Sequence, residues 1–322
     1  MPLASSLGLK MGKATRDAFG LALAEVGKSN PRVVVLDGDV WNSTRTEYFA
    51  KQFPDRFFNV GIAESNLVGV AAGLASSGKV PVLASFAVFV MCNAYDQLRM
   101  SVAYPGLNVK VVGTHAGISI GEDGPSQMGI EDVALACALP GFTVVVPADE
   151  PSTKKATEAM IAHHGPVYLR AGRPNVPIVY PDGCDFQLGR AIQLRVGKDV
   201  TLVANGIMVA AALEAAESLK AKNVSARVID AHTVKPIDRD ALARASRETG
   251  AIVVAEEHLA AGGLGAAVAA ALGELAPCPI RYVNLGDRFA ESGTAEELLE
   301  KYGLTPAAIV AAAIQAVQAK RR

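Results

Sequence analysis

The stretch NVKVVGTHAGISIGEDG, residues 108–124, joins a short apolar run to a loop that contains Gly117, Gly121 and Gly124. The run at its start is apolar on both faces, which is typical of a strand in a parallel sheet that helices cover on both sides. Four further runs share this composition: RVVVLD at 32–37, VPVLAS at 80–85, FTVVVPAD at 142–149 and PVYLR at 166–170. Together they predict one parallel sheet.

Helix-like segments alternate with these strands, as TRDAFGLALAEVG at 15–27 and PSTKKATEAMIAHHG at 151–165 illustrate. The stretch RPNVPIVYPDGCDFQLG, residues 173–189, interrupts the alternation with three prolines and has the composition of a linker. The alternation of strands and helices then restarts. This pattern predicts an α/β protein of two doubly wound domains with mostly parallel sheets, residues 1–185 and 186–322.

Composition narrows the class of partner. The chain has 322 residues, is 50% hydrophobic and carries a formal net charge of -1, which argues against nucleic acid or an anionic membrane as the main partner. Its start lacks the apolar core of a secretory signal, and the uncharged run at 80–95 is too short to span a bilayer. Four cysteines without a Cys-x-x-Cys pair indicate neither a disulfide framework nor a zinc site. We therefore expect a soluble cytoplasmic protein.

Ligands in such folds lie beyond the carboxyl ends of the strands, and several candidate residues occur there. His115 follows one predicted strand, and Asp39 and Ser43 follow another. The spacing alone is equally compatible with an ordinary turn at Asp39 and a strand-end histidine. Neither a Walker motif nor a dinucleotide fingerprint is present.

Glu64 is the candidate that a helix provides. It lies in the first turn of the helix predicted for AESNLVGVAAGLASSG, which is apolar nearly all round and is therefore expected to be buried. A carboxylate at this position is also favoured by the helix N-terminus without any further role. Burial would instead help the carboxyl group to exchange a proton with a ligand. Gly69 and Gly73 on the same helix would allow a close helix contact.

Several longer motifs in the sequence resemble those of a known family, and this resemblance adds to what the spacing of single residues indicates. The motifs DGDVWNS, PDRFFNVGIAESN, ASFAVF, AYDQLRMS, THAGISIGEDGPSQMGIEDVALACALPG and VYLRAGRP occur in the order found in transketolases, and VIDAHTVKPID with AEEHLAAGGLG resembles their C-terminal domain. The resemblance extends from about residue 14 to about residue 303. It covers the pyrimidine-binding and C-terminal domains, and it implies thiamine diphosphate as cofactor.

The diphosphate-binding domain of the family has no counterpart in this sequence. That domain holds a divalent cation through a Gly-Asp-Gly motif and a later asparagine, and LDGDV at 36–40 lacks this arrangement. The resemblance is therefore to the C-terminal subunit of a transketolase divided between two chains. It implies that Mg²⁺ or another divalent cation is held by an N-terminal partner subunit, in an α2β2 assembly, and that this chain has no metal site.

The resemblance also implies roles on the cofactor side. Glu64 matches the glutamate that hydrogen-bonds the aminopyrimidine ring nitrogen, and Phe86 and Phe89 match the aromatic pocket around that ring. Asp39 is placed with these cofactor-binding residues. Cys92 stands where the family often has a third aromatic residue, and the adjacent position 93 holds asparagine where arginine is frequent.

On the substrate side, Arg16, Ser43 and Arg173 match the group that binds the sugar phosphate, and guanidinium forks suit a dianion. Asp123 matches the aspartate that contacts a substrate hydroxyl. His115 and Gln127 match catalytic positions on the path of the sugar phosphate, although many members have histidine in place of the glutamine.

Two other functions fit a chain of this length. One is the β subunit of a thiamine-dependent 2-oxoacid dehydrogenase, against which GEDGPSQ and GRP favour a sugar phosphate substrate. The other is a noncatalytic assembly subunit, against which the presence of Glu64, Asp123, Arg16 and Arg173 argues. In the C-terminal half, Glu256, Glu257 and His258 form no convincing catalytic group, and the AAGGLGAAV segment could offer amides to an anion or serve helix packing.

Overall fold

A computed structural model describes residues 7–181 and 183–320. The strands are β1 (Met11–Ala14), β2 (Val33–Asp37), β3 (Phe57–Asn59), β4 (Val80–Phe86), β5 (Lys110–Thr114), β6 (Thr143–Val145), β7 (Val167–Arg170), β8 (Asn175–Pro177), β9 (Ile192–Arg195), β10 (Val200–Ala204), β11 (Ala226–Asp230), β12 (Thr233–Lys235), β13 (Ile252–Ala255) and β14 (Ile280–Val283). The helices are α1 (Thr15–Ser29), α2 (Trp41–Thr44), α3 (Glu47–Gln52), α4 (Glu64–Ser76), α5 (Tyr95–Gln97), α6 (Asp132–Ala138), α7 (Glu150–Ala162), α8 (Met208–Lys220), α9 (Arg239–Thr249), α10 (Leu264–Leu275), α11 (Ala295–Lys301) and α12 (Pro306–Ala319).

The predicted first sheet is present. Its strand order is β12-β6-β7-β5-β4-β2-β3, and every pairing except that of β12 with β6 is parallel. Strands β2, β5 and β7 are buried along their whole length, because helices cover both faces of the sheet. The carboxyl ends of β2, β4 and β5 therefore lie side by side at one edge.

The C-terminal half forms a second sheet in the order β14-β13-β10-β11-β9. Its pairings are parallel except that of β9 with β11. The prediction of α/β architecture with two mostly parallel sheets is thus confirmed. The short strands β1, β3, β8, β9 and β12 were not predicted, because three or four residues carry too little periodicity to be recognised.

One strand from the C-terminal half belongs to the first sheet. β12 pairs antiparallel with β6, with Thr233 opposite Val145 and Lys235 opposite Val144. The Lys235 ammonium group also donates to the carbonyl oxygens of Cys137 (2.8 Å) and Leu139 (2.6 Å) at the end of α6. A division at residue 185 stays a prediction, and the first sheet draws on residues from both sides of it.

The last two helices carry most of the apolar C-terminal sequence. The stretch Ala295–Ala319 has the length and mean hydropathy, 1.3, of a membrane span. It is divided into α11 and α12, and the Thr305 side chain caps the second helix by accepting from the amide of Ala308, with Pro306 at the first helical position. Buried side chains of α12 pack into the core of the second sheet. The buried face of α12 therefore contributes to the core, while 28% of an apolar 18-residue window in the stretch is buried.

Helix α4 differs from its prediction. We expected a helix buried all round, but Asn66, Gly69, Val70 and Gly73 are exposed along one face, while the opposite face is buried. An added Cβ at either glycine would meet no atom within 4 Å. Apolar composition cannot by itself distinguish a core helix from one with an uncovered apolar face, which is why the prediction was wrong.

Candidate functional site

Most of the candidate residues lie at the edge where β2, β4 and β5 end. β4 lies between the other two strands, so the loop after β2, the residue Phe86 and the residue His115 after β5 are neighbours. Thr15 of α1 accepts a hydrogen bond from the amide of Gly172, 2.7 Å away, after β7. This contact brings Arg16 and Arg173 to the same edge from segments distant in sequence.

Glu64 lies at the first position of α4 and is buried, with 7% of its surface exposed. The Ser85 hydroxyl donates to its Oε1 at 3.1 Å. Gly38 lies beside this pair, since a Cβ built on it would be 3.7 Å from the same oxygen. The positive end of the helix dipole and the hydroxyl hold the carboxylate at the strand edge.

An aromatic stack adjoins the carboxylate. The rings of Phe86 and Phe89 are 5.5 Å apart between centroids and nearly parallel, at 7°. Phe86 also stacks with the imidazole of His115 at 3.9 Å and 21°. Phe89 begins a π-helical turn (Phe89–Asn93), an irregularity of the kind often found at functional sites. The stack offers an apolar surface to a planar ring.

His115 connects this stack to the arginines. Arg16 Nη1 donates to His115 Nε2 at 2.7 Å and to the carbonyl oxygen of Ser43 at 3.1 Å. Because a guanidinium group is only a donor, Nε2 must accept, and the imidazole hydrogen is then on Nδ1. Nδ1 lies 2.8 Å from the Thr114 hydroxyl, which lies 3.4 Å from the carbonyl oxygen of Ser85.

The imidazole is held in its neutral form. Burial, together with the positive charges of Arg16, Arg173 and Arg45, lowers the pKa of His115 to about 3. Its backbone has φ of 57°, a left-handed conformation that costs a non-glycine residue about 1–3 kcal/mol. Strain of this kind persists only where the surroundings fix the residue, as the two ring contacts do here.

The second arginine, which follows β7, contacts the glycine-rich loop. Arg173 Nη1 donates to the carbonyl oxygen of Ile120 at 2.9 Å and to Asp123 Oδ1 at 3.1 Å, with Glu122 4.0 Å away. Gln127 is half-buried on the same loop. The structure thus brings Asp123 and Arg173 into direct contact, within reach of one ligand.

Asp39 and its neighbour Asp37 have different environments. The exposed Asp39 has φ of 66°, and its carboxylate accepts from Asn59 Nδ2 at 2.6 Å.

Asp37 is fully buried and accepts from the Val40 amide (2.7 Å) and from the hydroxyls of Thr44 (2.6 Å) and Thr46 (2.8 Å). Burial raises the pKa of Asp37 to about 6. Asp37, which was not predicted, fixes the loop that carries Asp39 and Ser43.

The glycine-rich loop is held from the C-terminal half. Glu257 Oε1 accepts from the Ser119 amide at 2.6 Å, and Gly117, at φ of 82°, packs against the same carboxylate. Arg170, which is buried, donates to the carbonyl oxygen of Glu257 at 3.0 Å and to Asp132 Oδ2 at 2.8 Å. The loop is therefore fixed in place despite its glycines. Glu257 was missed because its partners Ser119 and Arg170 are 138 and 87 residues away in sequence.

The N-terminus of α10, in the AAGGLGAAV segment, already binds a carboxylate of this chain. Glu256 accepts from the amides of Leu264 (2.6 Å) and Gly265 (2.8 Å) at the start of α10. His258 Nε2 lies 3.3 Å from the amide of Ala134, and its Nδ1 lies 2.9 Å from the carbonyl oxygen of Leu259. Glu256 and His258 are thus structural groups that cap the first turns of α10 and α6.

Two of the three departures from the family pattern follow Phe89 closely in the chain. Cys92 and Asn93 are exposed in the π-helical turn. The Cys92 thiol lies 3.7 Å from Glu131 Oε1, and burial together with that carboxylate raises its pKa to about 11. Neither residue extends the aromatic surface that Phe86 and Phe89 form.

These residues fit one end of thiamine diphosphate. A buried carboxylate beside two parallel aromatic rings suits an aminopyrimidine, whose nitrogen atoms need a hydrogen-bond partner and whose faces are apolar. In residues 7–181 and 183–320 no group of three or more His, Cys, Asp or Glu side chains could hold a metal ion. The described residues therefore fit the pyrimidine end of the cofactor.

Comparison with known proteins defines the class. Residues 11–179 match the family model of the transketolase pyrimidine-binding domain, and residues 189–309 match that of the transketolase C-terminal domain. The chain belongs to the transketolase family.

Similar proteins are of two lengths. The chain is 43% identical over 305 residues to the 6-deoxy-6-sulfo-D-fructose transketolase subunit SqwH of Clostridium sp. (strain MSTE9), covering 95% of each chain. It superposes with a TM-score of 0.91, at 51% identity, on the solved inactive β4 tetramer of a split-gene transketolase, covering 96% of this chain and 100% of the solved one. The transketolase of Mus musculus is 42% identical over 304 residues, but these are only 48% of its length. The chain thus spans nearly all of the first two proteins and about half of the third.

Proposed function

We propose that this chain is the C-terminal subunit of a heteromeric, thiamine diphosphate-dependent transketolase that transfers a two-carbon ketol unit from a ketose phosphate to an aldose phosphate. The observation that carries the proposal is the position of His115. One face of its ring stacks on Phe86, and its Nε2 accepts from Arg16 at 2.7 Å. A ring-binding pocket and a cluster of arginines therefore belong to one continuous site.

The cofactor side of the proposal uses this chain's carboxylate and aromatic rings. When bound, thiamine diphosphate supplies the carbon nucleophile that carries the two-carbon unit between sugars. Phe86 and Phe89 would stack on its aminopyrimidine ring. Glu64 would hold or share a proton with a ring nitrogen, and the Ser85 hydroxyl orients the carboxylate for that task. Asp39, exposed at the adjacent strand end, would complete this side of the pocket.

The substrate side uses the arginines. Arg16 and Arg173 would bind the terminal phosphate, with Ser43 beside them, because guanidinium groups pair with phosphate through two parallel hydrogen bonds. Asp123 lies 3.1 Å from Arg173 and would accept from a sugar hydroxyl once the arginine turns to the phosphate. Gln127 could donate and accept through its amide, but it could not act as a general acid or base.

His115 would gain a free nitrogen in the same rearrangement. If Arg16 moves its Nη1 onto the phosphate, Nε2 is left as an unprotonated acceptor for a substrate hydroxyl. Nδ1 stays bonded to Thr114 at 2.8 Å, which fixes the tautomer. Its catalytic role is then to accept at Nε2, and the pKa of about 3 keeps it unprotonated at neutral pH.

A partner subunit would supply the other half of the site. We expect an N-terminal subunit with the diphosphate-binding domain, holding Mg²⁺ or another divalent cation, in an α2β2 assembly. The absence of a metal-ligand cluster from the described residues supports this. So do the match to split-subunit proteins and the half-length match to the mouse enzyme. Of the alternatives, family membership disfavours the 2-oxoacid dehydrogenase subunit, and the assembled site disfavours a noncatalytic subunit.

The remaining elements of the proposal are a division into domains at 1–185 and 186–322, a place in pentose phosphate metabolism and a cytoplasmic location. The two family matches end and begin at residues 179 and 189, which supports the division. All four cysteines are free thiols, as suits a reducing compartment.

The test is reconstitution. Calorimetric titration with thiamine diphosphate and Mg²⁺, and an assay of ketol transfer, would be made on this chain alone, on its partner chain alone and on their mixture. We expect tight cofactor binding and transfer only in the mixture. Micromolar binding together with ketol transfer by the lone chain would overturn the split-site proposal, and a mixture that oxidatively decarboxylates 2-oxoacids would overturn the proposed reaction.

A further inference from the structure

A third arginine, Arg45, lies beside the two that were expected from the sequence. Its Nε is 2.6 Å from Asp17 Oδ1, and the Nε of Arg16 is 4.0 Å from the other oxygen of the same carboxylate. One aspartate thus lies between two guanidinium groups. Asp17 shields their repulsion and allows both cations to lie at the same end of the cleft.

The two arginines also bind adjacent peptide groups. Arg45 Nη1 donates to the carbonyl oxygen of Asn42 at 2.7 Å, and Arg16 Nη1 donates to that of Ser43 at 3.1 Å. The loop residue Ser43, which the proposed function assigns to phosphate binding, therefore lies between the attachment points of two cations.

The backbone fixes Arg45 in this position. It ends α2 with φ of 68°, a conformation uncommon for a residue with a side chain. Thr44 and Thr46 on either side both donate to the buried carboxylate of Asp37. A Cβ built on Gly20 of α1 would lie only 2.5 Å from the Arg45 carbonyl oxygen, so the loop packs directly on the helix that carries Arg16.

The positive charge of Arg45 is close enough to Arg16 and His115 to affect their pKa values. Burial is the main cause of the lowered pKa of both Arg16 and His115, and the charges of Arg45 and Arg173 lower each pKa in the same direction. The carboxylates that offset the charge of Arg45 are Asp17 and, at 3.6 Å, Glu47. The Arg45 side chain is 27% exposed. Water therefore screens its charge only partly, and a ligand bound nearby would be attracted more strongly than in bulk water.

We propose that Arg45 is a specificity-determining residue that makes the site select sugars with a doubly charged terminal group, a phosphate, over those with a singly charged sulfonate or a neutral hydroxymethyl group. This inference rests on the proposed function and extends it to the choice of substrate. The attraction between the Arg45 guanidinium and a ligand is proportional to the ligand's charge, so Arg45 stabilises a dianion more than a monoanion and adds little for a neutral group. Arg45 acts through its charge on the ligand and on Arg16.

The test uses the complex of this chain with its partner subunit. Arg45→Gln removes the charge, Arg45→Lys keeps it, and Arg45→Asn is a second neutral variant, because asparagine tolerates positive φ well. Arg239→Gln is the control, since it breaks an ion pair between Arg239 on α9 and Glu274 on α10, both far along the chain from Arg45. The kcat/KM would be measured for ketose donors that end in phosphate, sulfonate or a hydroxymethyl group.

We expect the neutral variants to lower kcat/KM for the phosphorylated donor by about tenfold or more. The loss should be smaller for the sulfonated donor and below about twofold for the neutral one, with Arg45→Lys recovering most of it. Equal losses on all three donors, or none, would overturn the inference.

A second measurement needs no activity. Calorimetric titration of the complex with inorganic phosphate and with methanesulfonate should show a preference for phosphate that Arg45→Gln reduces and Arg239→Gln leaves intact. If the wild-type complex transferred no ketol unit but showed this preference, the proposed function would fail while the anion selectivity stood. Unchanged phosphate binding in both neutral variants would overturn the selectivity whatever the enzyme's activity.

Discussion

Arg16 Nη1 lies 2.7 Å from His115 Nε2, so a permanent cation donates to the imidazole that lies against Phe86. A histidine that accepts from arginine cannot gain a proton at that nitrogen without breaking the contact. Its protonation state is therefore tied to the position of the arginine. The chemical behaviour of the site follows from this coupling.

The first prediction is that His115 does not titrate between pH 5 and pH 8 in the folded chain. Its pKa is lowered to about 3, whereas the unfolded chain protonates it near pH 6.5. Because the folded pKa is depressed, this histidine favours folding least in acid, and stability is lost as pH falls from about 6.5 towards 3. Nuclear magnetic resonance of the imidazole C2 proton, assigned with His115→Asn, would measure this. A midpoint near 6.5 would contradict the assigned tautomer.

The second prediction concerns Glu64→Gln in the complex with the partner subunit. Glutamine matches glutamate in shape and can still accept from the Ser85 hydroxyl, but it cannot exchange a proton. We expect kcat to fall by about 10²–10⁴-fold, with the melting temperature nearly unchanged. Steady-state kinetics and thermal melts would check this, and a variant within twofold of the wild type would remove Glu64 from the mechanism.

The third prediction separates phosphate binding from structure. Arg173→Ala should reduce kcat/KM for phosphorylated acceptors by about 10–100-fold, because a charge-assisted contact is lost, and much less for unphosphorylated ones. The exposed Arg244→Ala, on α9 in the C-terminal half, serves as control. Similar losses on both kinds of acceptor would indicate that Arg173 serves only to hold Asp123 and Ile120.

The fourth prediction tests the fixed glycine-rich loop. Gly117→Ala would force a side chain at φ of 82° onto the Glu257 carboxylate, and we expect it to lower the free energy of unfolding by at least about 2 kcal/mol. Gly73→Ala, in open space on α4, should instead raise it by about 0.5–1 kcal/mol. Urea unfolding of both variants measures the difference. Equal effects would show that the loop is not constrained.

The fifth prediction concerns a buried acid between the two halves. Burial raises the pKa of Asp230 to about 7, although it accepts from the Tyr180 hydroxyl at 2.7 Å. A raised carboxyl pKa gives stability that is present below about pH 4 and lost as pH rises through 7. Asp230→Asn, neutral at every pH, should therefore gain stability relative to the wild type between pH 5 and pH 8, by on the order of 3 kcal/mol. The exposed Asp240→Asn should show no such trend in chemical unfolding at each pH.

The long strands could be predicted from sequence because burial on both faces leaves an unmistakable apolar run, as in β2 and β5. The short strand β12 could not, because Thr233–Lys235 has neither length nor alternation and its partner lies about ninety residues earlier. Helix α4 was predicted in its place but not in its exposure. The sequence pattern of an apolar helix face is the same whether that face is buried or exposed.

The residues of the candidate site likewise include some that could be predicted from the sequence and some that could not. Residues at strand ends, such as His115 and Ser43, could be located from their position, and the structure brings Arg16 and Arg173 to them. Arg45 and Glu257 could not be found, because the first is marked by nothing except a nearby serine and the second acts through the three-dimensional fold. Side chains that orient others carry no sequence pattern of their own.

The pairing of β12 with β6 bears on how the molecule could be cut. Removing everything after residue 185 would strip a strand from the first sheet and leave β6, with its buried Thr143, Val144 and Val145, as a bare edge. An uncovered apolar edge is a template for association with other chains. An expression fragment that ends at the apparent linker should therefore precipitate, and the two halves should melt in a single cooperative step in the intact chain.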